Sequence, residues 1–359
     1  MEARPPDSSG KFYYGYTIVV VSTFILIGAF GVNYAFGVFF TPLLEEFGWT
    51  RAVTSGAVAL SWIVQTAGQI FMGKLNDRYG PRKVLSFCGL VLGTGYFLMS
   101  QVSSLWQFYA VYGVIVGIGL SGIFVPLTST VARWFTTRRG SMTGIIVAGV
   151  GVGTLIGPLI SNWLIGLFDW RVSYSVLGIV VFAVIVTAAQ FLKHNTSVLN
   201  TAQDGYPLKK IKIEGMDFAT ALRQPQFYMF FAALLCFGTC LYFILVHITA
   251  YAIGLGIGAA AAAGLLSAIG GMSIAAKIIS GKIGDIYSNR VVFIIGFSAM
   301  AVSFLIIMLL KEVWALYLFA MIFGLAYGAC VTAQSPIVAE YFGLKSHGLI
   351  LGTATGGLT

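Results

Sequence analysis

Apolar runs of helical length, each closed by charged or turn-forming residues, divide the chain from end to end. They fall at about 14–40, 53–73, 84–103, 106–131, 141–166, 172–193, 227–253, 258–281, 291–310 and 314–339, and an eleventh begins near 348 and continues to Thr359. A bilayer core about 30 Å thick takes about 20 apolar residues per helix. The pattern therefore predicts an all-α, multi-pass membrane protein with ten spanning helices and the start of another. The first run is longer than a signal-peptide core of roughly 7–15 residues, and its leader MEARPPDSSGKFYYG is not notably basic, so it reads as an uncleaved first helix.

Composition sharpens this picture. The chain has 359 residues, 58% hydrophobic and only 9% charged, with a mean hydropathy of +0.90, against roughly 25% charged in an ordinary soluble domain. So little polar surface excludes a soluble enzyme, a nucleic-acid binder and a disordered scaffold. The net charge of +9 resolves into topology, because the basic residues cluster in alternate loops. One set holds Lys74, Arg78, Arg82, Lys83, Arg133, Arg138, Arg139, Lys193, Lys209, Lys210, Lys212, Arg223, Lys282, Arg290 and Lys345, with Arg4 and Lys11 in the leader. The other set holds only Arg51, Arg171 and Lys311. Basic loops stay in the cytoplasm, which predicts a plasma (inner) membrane protein with a cytoplasmic N-terminus, a cytoplasmic 194–226 loop and an unglycosylated Asn195-Thr196-Ser197. The four cysteines sit in apolar runs and are expected to be free thiols.

The chain repeats itself. Gly73-Lys74-Leu75-Asn76-Asp77-Arg78-Tyr79 recurs as Gly281-Lys282-Ile283-Gly284-Asp285-Ile286-Tyr287, an offset of 208 residues, and Arg139-Gly140 falls on His347-Gly348 at the same offset. Two six-helix halves, 1–193 and 227–359, joined by the 194–226 loop, account for this, and such parallel repeats place substrate near the midplane between halves. By that symmetry the second half is incomplete, with a C-terminus about 50–60 residues further on at about 20 residues per span plus loops.

GKLNDRYGPRKV (73–84) resembles the loop 2–3 signature of the major facilitator superfamily, and GKIGDIYSNR is its degenerate second copy. The stretches VPLTSTVARWFTTRRGSMTGIIVAGVGVGTLIGP (125–158), VHITAYAIGLGI (246–257) and LLSAIGGMSIAAKIISGKIGD (265–285) resemble the branch of monocarboxylate porters and oxalate:formate antiporters. The resemblance implies the major-facilitator fold and transport of a small carboxylate. Where eukaryotic members of the branch usually carry aspartate and arginine four apart on helix 8, this chain has Ser273 and Lys277, and GVNYAFGVFF (31–40) replaces their acidic, aromatic helix 1 signature.

Lys277 is the sharpest candidate for chemistry. A lysine inside a span costs about 2.5–3.5 kcal/mol on insertion scales and usually meets a cavity or a partner. It lies toward the cytoplasmic end of span 8, so snorkelling is the alternative, but helical side chains tilt toward the N-terminus, here toward the midplane. No acidic residue lies in any span, leaving an anionic substrate as the natural counter-charge. His247, the only histidine in a span, is a candidate to couple a proton, the usual role of an imidazole near neutral pH, or belongs to an outer gate. Subtracting 208 from 273 and 277 gives Gln65 and Gln69, one turn apart on span 2, either neutral donors to substrate or polar glue between helices. The hydroxyls of Tyr327 and Tyr34 are further candidates against plain packing. Gly73, Asp77, Arg78, Arg82, Arg133 and Asp285 read as a cytoplasmic gate. Asp77 would cap the start of span 11 near Gly348, with the arginines completing a charge cluster.

Gly117-x-Gly119-x-x-Gly122 matches a dinucleotide fingerprint by letter but lies inside a span with no strand before it. No metal-ligand spacing, nucleophile triad or phosphate loop occurs, so neither an enzyme, a cofactor nor an ATP-driven pump is expected. The expected activity is secondary transport of a small organic anion such as lactate or pyruvate, proton-coupled, by alternating access. Exchange or export of oxalate, formate or dicarboxylates is the alternative, and a non-transporting receptor on the same scaffold is the reading from another class. The remaining partners are the proton and the lipid bilayer, without nucleic acid.

Overall fold

The computed structural model describes residues 13–193, 215–309 and 311–356. Arg4, Lys11, Lys209, Lys210, Lys212 and the Asn195 sequon lie outside the described residues. Within them the chain is helical: α1 (Tyr14–Tyr34), α2 (Phe36–Phe47), α3 (Arg51–Tyr79), α4 (Pro81–Met99), α5 (Leu105–Phe108), a π-helical stretch (Tyr109–Val116), α6 (Gly117–Ser121), α7 (Phe124–Trp134), α8 (Arg139–Leu167), α9 (Trp170–Gln190), α10 (Phe218–Ala221), α11 (Pro225–Gly254), α12 (Ala259–Ile286), α13 (Asn289–Leu309), α14 (Val313–Phe342) and α15 (His347–Thr355). Only an isolated bridge, Gly215 to Gly343, has β pairing among the described residues.

Among the described residues, eight helical stretches are long and apolar enough to cross a bilayer. Helices α3 and α4 fall short of that apolarity although their lengths suffice. Gln65 and Gln69 interrupt the first, and Arg82 and Lys83 open the second. Spans 1 and 4 depart from the uninterrupted helices predicted for them. Span 1 breaks between α1 and α2 and then continues to Phe47. Span 4 passes through the π-helical stretch and breaks again at Gly122 and Ile123; such local unwinding is common near functional sites.

Helix ends follow the chain's punctuation. Thr50 Oγ1 accepts from Val53 N–H at 3.3 Å and Asp169 Oδ1 from Val172 N–H at 2.7 Å, N-caps that start α3 and α9. Gly80, at φ +84°, turns the chain sharply so that Pro81 opens α4.

Buried apolar side chains form two clusters, one drawn from residues 18–192 and one from residues 221–354 with Val125. The large apolar side chains left outside, such as Leu155, Leu159 and Trp163 on α8 and Ile294, Ile295 and Leu305 on α13, are what a lipid-facing surface requires, since every backbone group of a spanning helix is already satisfied within it.

The two clusters meet along crossings related by the 208-residue repeat. A Cβ on Gly140 would lie 2.5 Å from the Gly281 carbonyl oxygen, and one on Gly144 would collide with the Lys277 carbonyl. The matching crossing sets Gly348 against Gly73, and a Cβ on Gly352 would lie 2.7 Å from the Gln69 carbonyl. Absent side chains let the helix backbones touch. Residues 69 and 277 are thereby fixed at equivalent places beside a shared interface.

Candidate functional site

Between the two clusters lies a cavity of about 720 Å³, including its mouth. Aromatic side chains build much of its wall: Phe30 and Tyr34 from α1, Trp62 from α3, Phe124 from α7, Phe237 and Tyr242 from α11, and Tyr327 from α14. Its polar groups come from opposing helices: Gln65 and Gln69 of α3, Lys277 of α12, Gln334 of α14 and Thr355 of α15. Such a cavity, mostly apolar with a few convergent polar groups, is the usual form of a small-molecule site.

Lys277 dominates its electrostatics. The side chain is 1% exposed, and its Nζ sits 4.8 Å from the centre of the Tyr327 ring. No carboxylate lies within ion-pairing distance of it among the described residues. The ring face offers partial compensation, and stacking on Phe237, with centroids 6.4 Å apart, holds that ring in place. Gln69 Nε2 and both polar atoms of Gln334 are buried without hydrogen-bond partners. Ser273, by contrast, donates its hydroxyl to the Gly270 carbonyl at 2.8 Å and is absent from the lining. Trp62 and Tyr242 meet edge to face across the cavity with centroids 5.2 Å apart.

The cavity thus gathers Lys277, Gln65, Gln69, Tyr327 and Tyr34. It does not gather His247, which is exposed on α11 with its ring 5.0 Å from Phe243. Sequence reasoning missed Gln334, Tyr242 and Trp62. Tyr242 carried a usable signal, since it is the 208-residue mate of Tyr34 as Lys277 is of Gln69. Gln334 is a buried amide on α14 between Thr332 and Ser335.

A second set of polar contacts closes the basic end of the bundle. Both signature segments, predicted as loops, lie in the last turns of long helices, Asp77 on α3 and Asp285 on α12. Asp77 accepts hydrogen bonds from Gly348 N–H and Leu349 N–H, each at 3.0 Å, and pairs with Arg133. Asp285 accepts from Gly140 N–H at 2.6 Å and Ser141 N–H at 2.8 Å. Each carboxylate therefore caps a helix from the opposite cluster, where the helix dipole favours negative charge, and the two caps are mates at the 208-residue offset. Arg133, 6% exposed, also reaches the Leu344 carbonyl at 3.4 Å.

Arg78 and Arg82 stand apart from this cluster. Arg78 stacks on Tyr79 at 5.2 Å, and Arg82 donates its Nε–H to Gln190 Oε1 at 2.7 Å. Both are exposed, because the helical turn of α3 and the Gly80-Pro81 corner direct them away from the contact surface. No group of three or more metal-ligating side chains is assembled among the described residues.

Spanning helices arranged as a repeat around a central cavity define a membrane carrier. The chain belongs to the Major Facilitator Superfamily, whose family model matches residues 21–359, and it is a transporter rather than an enzyme. Among curated proteins it is 27% identical over 283 residues to monocarboxylate transporter 13 of Bos taurus, covering 79% of this chain and 63% of that one. It is 27% identical to the oxalate:formate antiporter of Oxalobacter formigenes over 230 residues, or 63% of this chain and 53% of the relative. It thus spans less than two thirds of either relative's length. Among solved structures the human organic anion transporter MFSD10 superposes with a TM-score of 0.70 at 16% identity, covering 99% of this chain and 91% of that one.

Proposed function

We propose that this transporter carries a small monocarboxylate anion, of the size of lactate or pyruvate, together with a proton. The observation that carries the reading is the Lys277 ammonium, buried in the central cavity with no carboxylate beside it among the described residues. An unpaired buried charge is costly, and a single anionic ligand removes that cost. One positive charge matches one negative charge, and the neutral amides of Gln65 and Gln69 supply further donors. The names of the curated relatives accord with this substrate class.

In this reading residues 1–193 and 227–359 rock about the cavity, with 194–226 linking them. The basic end faces the cytoplasm of a plasma-membrane protein with its N-terminus inside, and Asp77, Asp285 and Arg133 hold that end shut. Tyr34 and Tyr327 wall the anion. His247 is out of reach of the anion in this conformation, and the proton is assigned to Lys277, whose neutral amine takes it up with the anion to become the ammonium and gives it up again when the empty site returns.

The test is uptake of labelled lactate and pyruvate into proteoliposomes holding the full-length protein, with and without an inward proton gradient. Gradient-driven uptake of either acid is expected, and failure to take up either one under both conditions overturns the reading. The His247→Gln variant is expected to keep gradient-driven uptake within about twofold of the parent, which a proton-carrying histidine would not allow.

Anion-for-anion exchange is a second reading, favoured by the absence of any carboxylate from the cavity lining. A site that crosses only when loaded needs no other titrating group. Uptake that requires internal carboxylate and ignores the proton gradient would select it.

A further inference from the structure

A bare carboxylate leaves one part of the cavity without a partner. Gln334 is 1% exposed and lines the cavity, yet neither its Oε1 nor its Nε2 has a hydrogen-bond partner. The oxygen and nitrogen of an amide are interchangeable in assignment, but here both are unpartnered. As placed, the group leaves its donor N–H groups and its acceptor oxygen unsatisfied. The Nε2 of Gln69 is likewise buried without a partner.

A carboxylate is an acceptor only. It can satisfy the Lys277 ammonium, the Gln69 N–H and the Gln334 N–H, but it sets acceptor against acceptor at the Gln334 carbonyl oxygen. That oxygen needs a donor, and none comes from the described residues. Thr355, another polar side chain of the lining, already donates its hydroxyl to the Leu351 carbonyl at 2.8 Å.

Resting on the carboxylate reading of this cavity, we infer that the substrate bears a hydroxyl beside its carboxylate, and that Gln334 is the residue that selects for it. A hydroxyl both donates and accepts, so it matches an amide whose two ends are free. A 2-keto acid offers acceptors alone, and an unsubstituted acid offers nothing beyond its carboxylate. A site whose buried polar group is left unpaired by the wrong ligand discriminates against that ligand.

The experiment measures competition against labelled lactate in proteoliposomes of the full-length protein by two matched pairs, lactate with propionate and glycolate with acetate, and by pyruvate. The parent is expected to prefer each hydroxy acid to its deoxy partner by about tenfold, the scale of one buried neutral hydrogen bond, with pyruvate nearer to propionate. In Gln334→Met, which keeps the length of the side chain and removes both polar atoms, the ratio is expected to fall to about one through weaker lactate binding. Exchanging an unpartnered buried amide for an apolar group of similar shape is neutral or stabilising, so the variant's unliganded melting temperature is expected to equal or exceed the parent's.

A parental ratio near one, with both acids bound and both lost in Lys277→Gln, would overturn the inference and leave the carboxylate reading standing, water then occupying the Gln334 oxygen. A ratio retained in Gln334→Met would overturn the assignment to this residue. Binding of neither acid, or binding indifferent to Lys277→Gln, would overturn the carboxylate reading and the inference with it.

Discussion

Lys277→Gln is expected to weaken carboxylate binding by about 100-fold and, in the same protein, to raise the melting temperature of the empty transporter. The first effect follows from removing one partner of a buried, hydrogen-bonded charge pair, which costs about 2–5 kcal/mol, at 1.4 kcal/mol per factor of ten. The second follows from the empty state, in which the Lys277 side chain is 1% exposed with an aromatic face as its visible compensation, so that a basic amine is buried where its charged form has no partner. A neutral amide of nearly the same reach removes that burden. The two effects have opposite signs, which separates a binding residue from a structural one. If Lys277 held the helices together, the variant would melt lower and bind less for the same reason. Thermal shift with saturating carboxylate completes the test. A ligand at about 100 times its Kd stabilises the folded state by about 2.7 kcal/mol, so the parent should gain melting temperature with lactate and the variant should not. Lys277→Arg keeps the charge in a wider, planar group that does not deprotonate and is expected to retain binding while losing the dependence of uptake on the proton gradient. A variant that melts lower and binds as well as the parent would remove Lys277 from the site.

The same residue shows what the sequence made legible. A bilayer allows few solutions for a backbone, so the helices could be placed from apolar runs alone, and the 208-residue repeat pointed to two related halves. Lys277 stood out because a charged side chain in a span needs a reason to be there, and the repeat offset led from residues 273 and 277 to Gln65 and Gln69. Rotation of a helix about its axis was harder to read. His247 satisfied the same criterion as Lys277, but its position on α11 turns it beside Phe243 and away from the cavity. Gln334 was overlooked because α14 also carries Thr332 and Ser335, which spend their hydroxyls on carbonyls, Gly328 at 3.0 Å and Thr128 at 3.3 Å. Only the structure separates those satisfied hydroxyls from the unsatisfied amide. The breaks in spans 1 and 4 left no trace in hydropathy, since apolar residues continue through both. Arg78 and Arg82 were grouped with Arg133 by their charge and by the superfamily resemblance. The α3 terminus and the Gly80-Pro81 corner fan them apart, so that only Arg133, arriving from α7, meets Asp77.

Asp77→Asn is expected to open the basic end of the transporter, and by more than Asp285→Asn. Each carboxylate accepts two backbone N–H groups from a helix of the opposite cluster, and a hydrogen bond to a charged group is worth about 1.5–3 kcal/mol. An asparagine keeps one acceptor and points an N–H at what was an acceptor position, so at least one such bond is lost at either site. At Asp77 the substitution also strands Arg133, whose guanidinium is buried and has no other carboxylate within pairing distance among the described residues. The Asp285 side lacks such an ion pair, its neighbour Asn289 donating instead to Glu340 at 2.7 Å. A total loss near 3 kcal/mol at Asp77 shifts the closed-to-open ratio by more than 100-fold at 1.4 kcal/mol per factor of ten. Labelling with a membrane-impermeant maleimide reads that shift at a cysteine placed at Thr355 in the cavity lining, with the native cysteines replaced. Applied from the basic side, it should react fastest in Asp77→Asn, next in Asp285→Asn and slowest in the parent. Arg133→Gln tests the ordering, because it spares both N–H bonds of Asp77 and removes only the ion pair, so its labelling rate belongs between those of the parent and Asp77→Asn. Equal rates in all four proteins would mean that the paired carboxylates merely terminate helices. The backbone contacts of Gly73 with Gly348 and of Gly140 with Gly281 would then hold the end shut unaided, a result at odds with the cost of leaving four capped N–H groups without their charges.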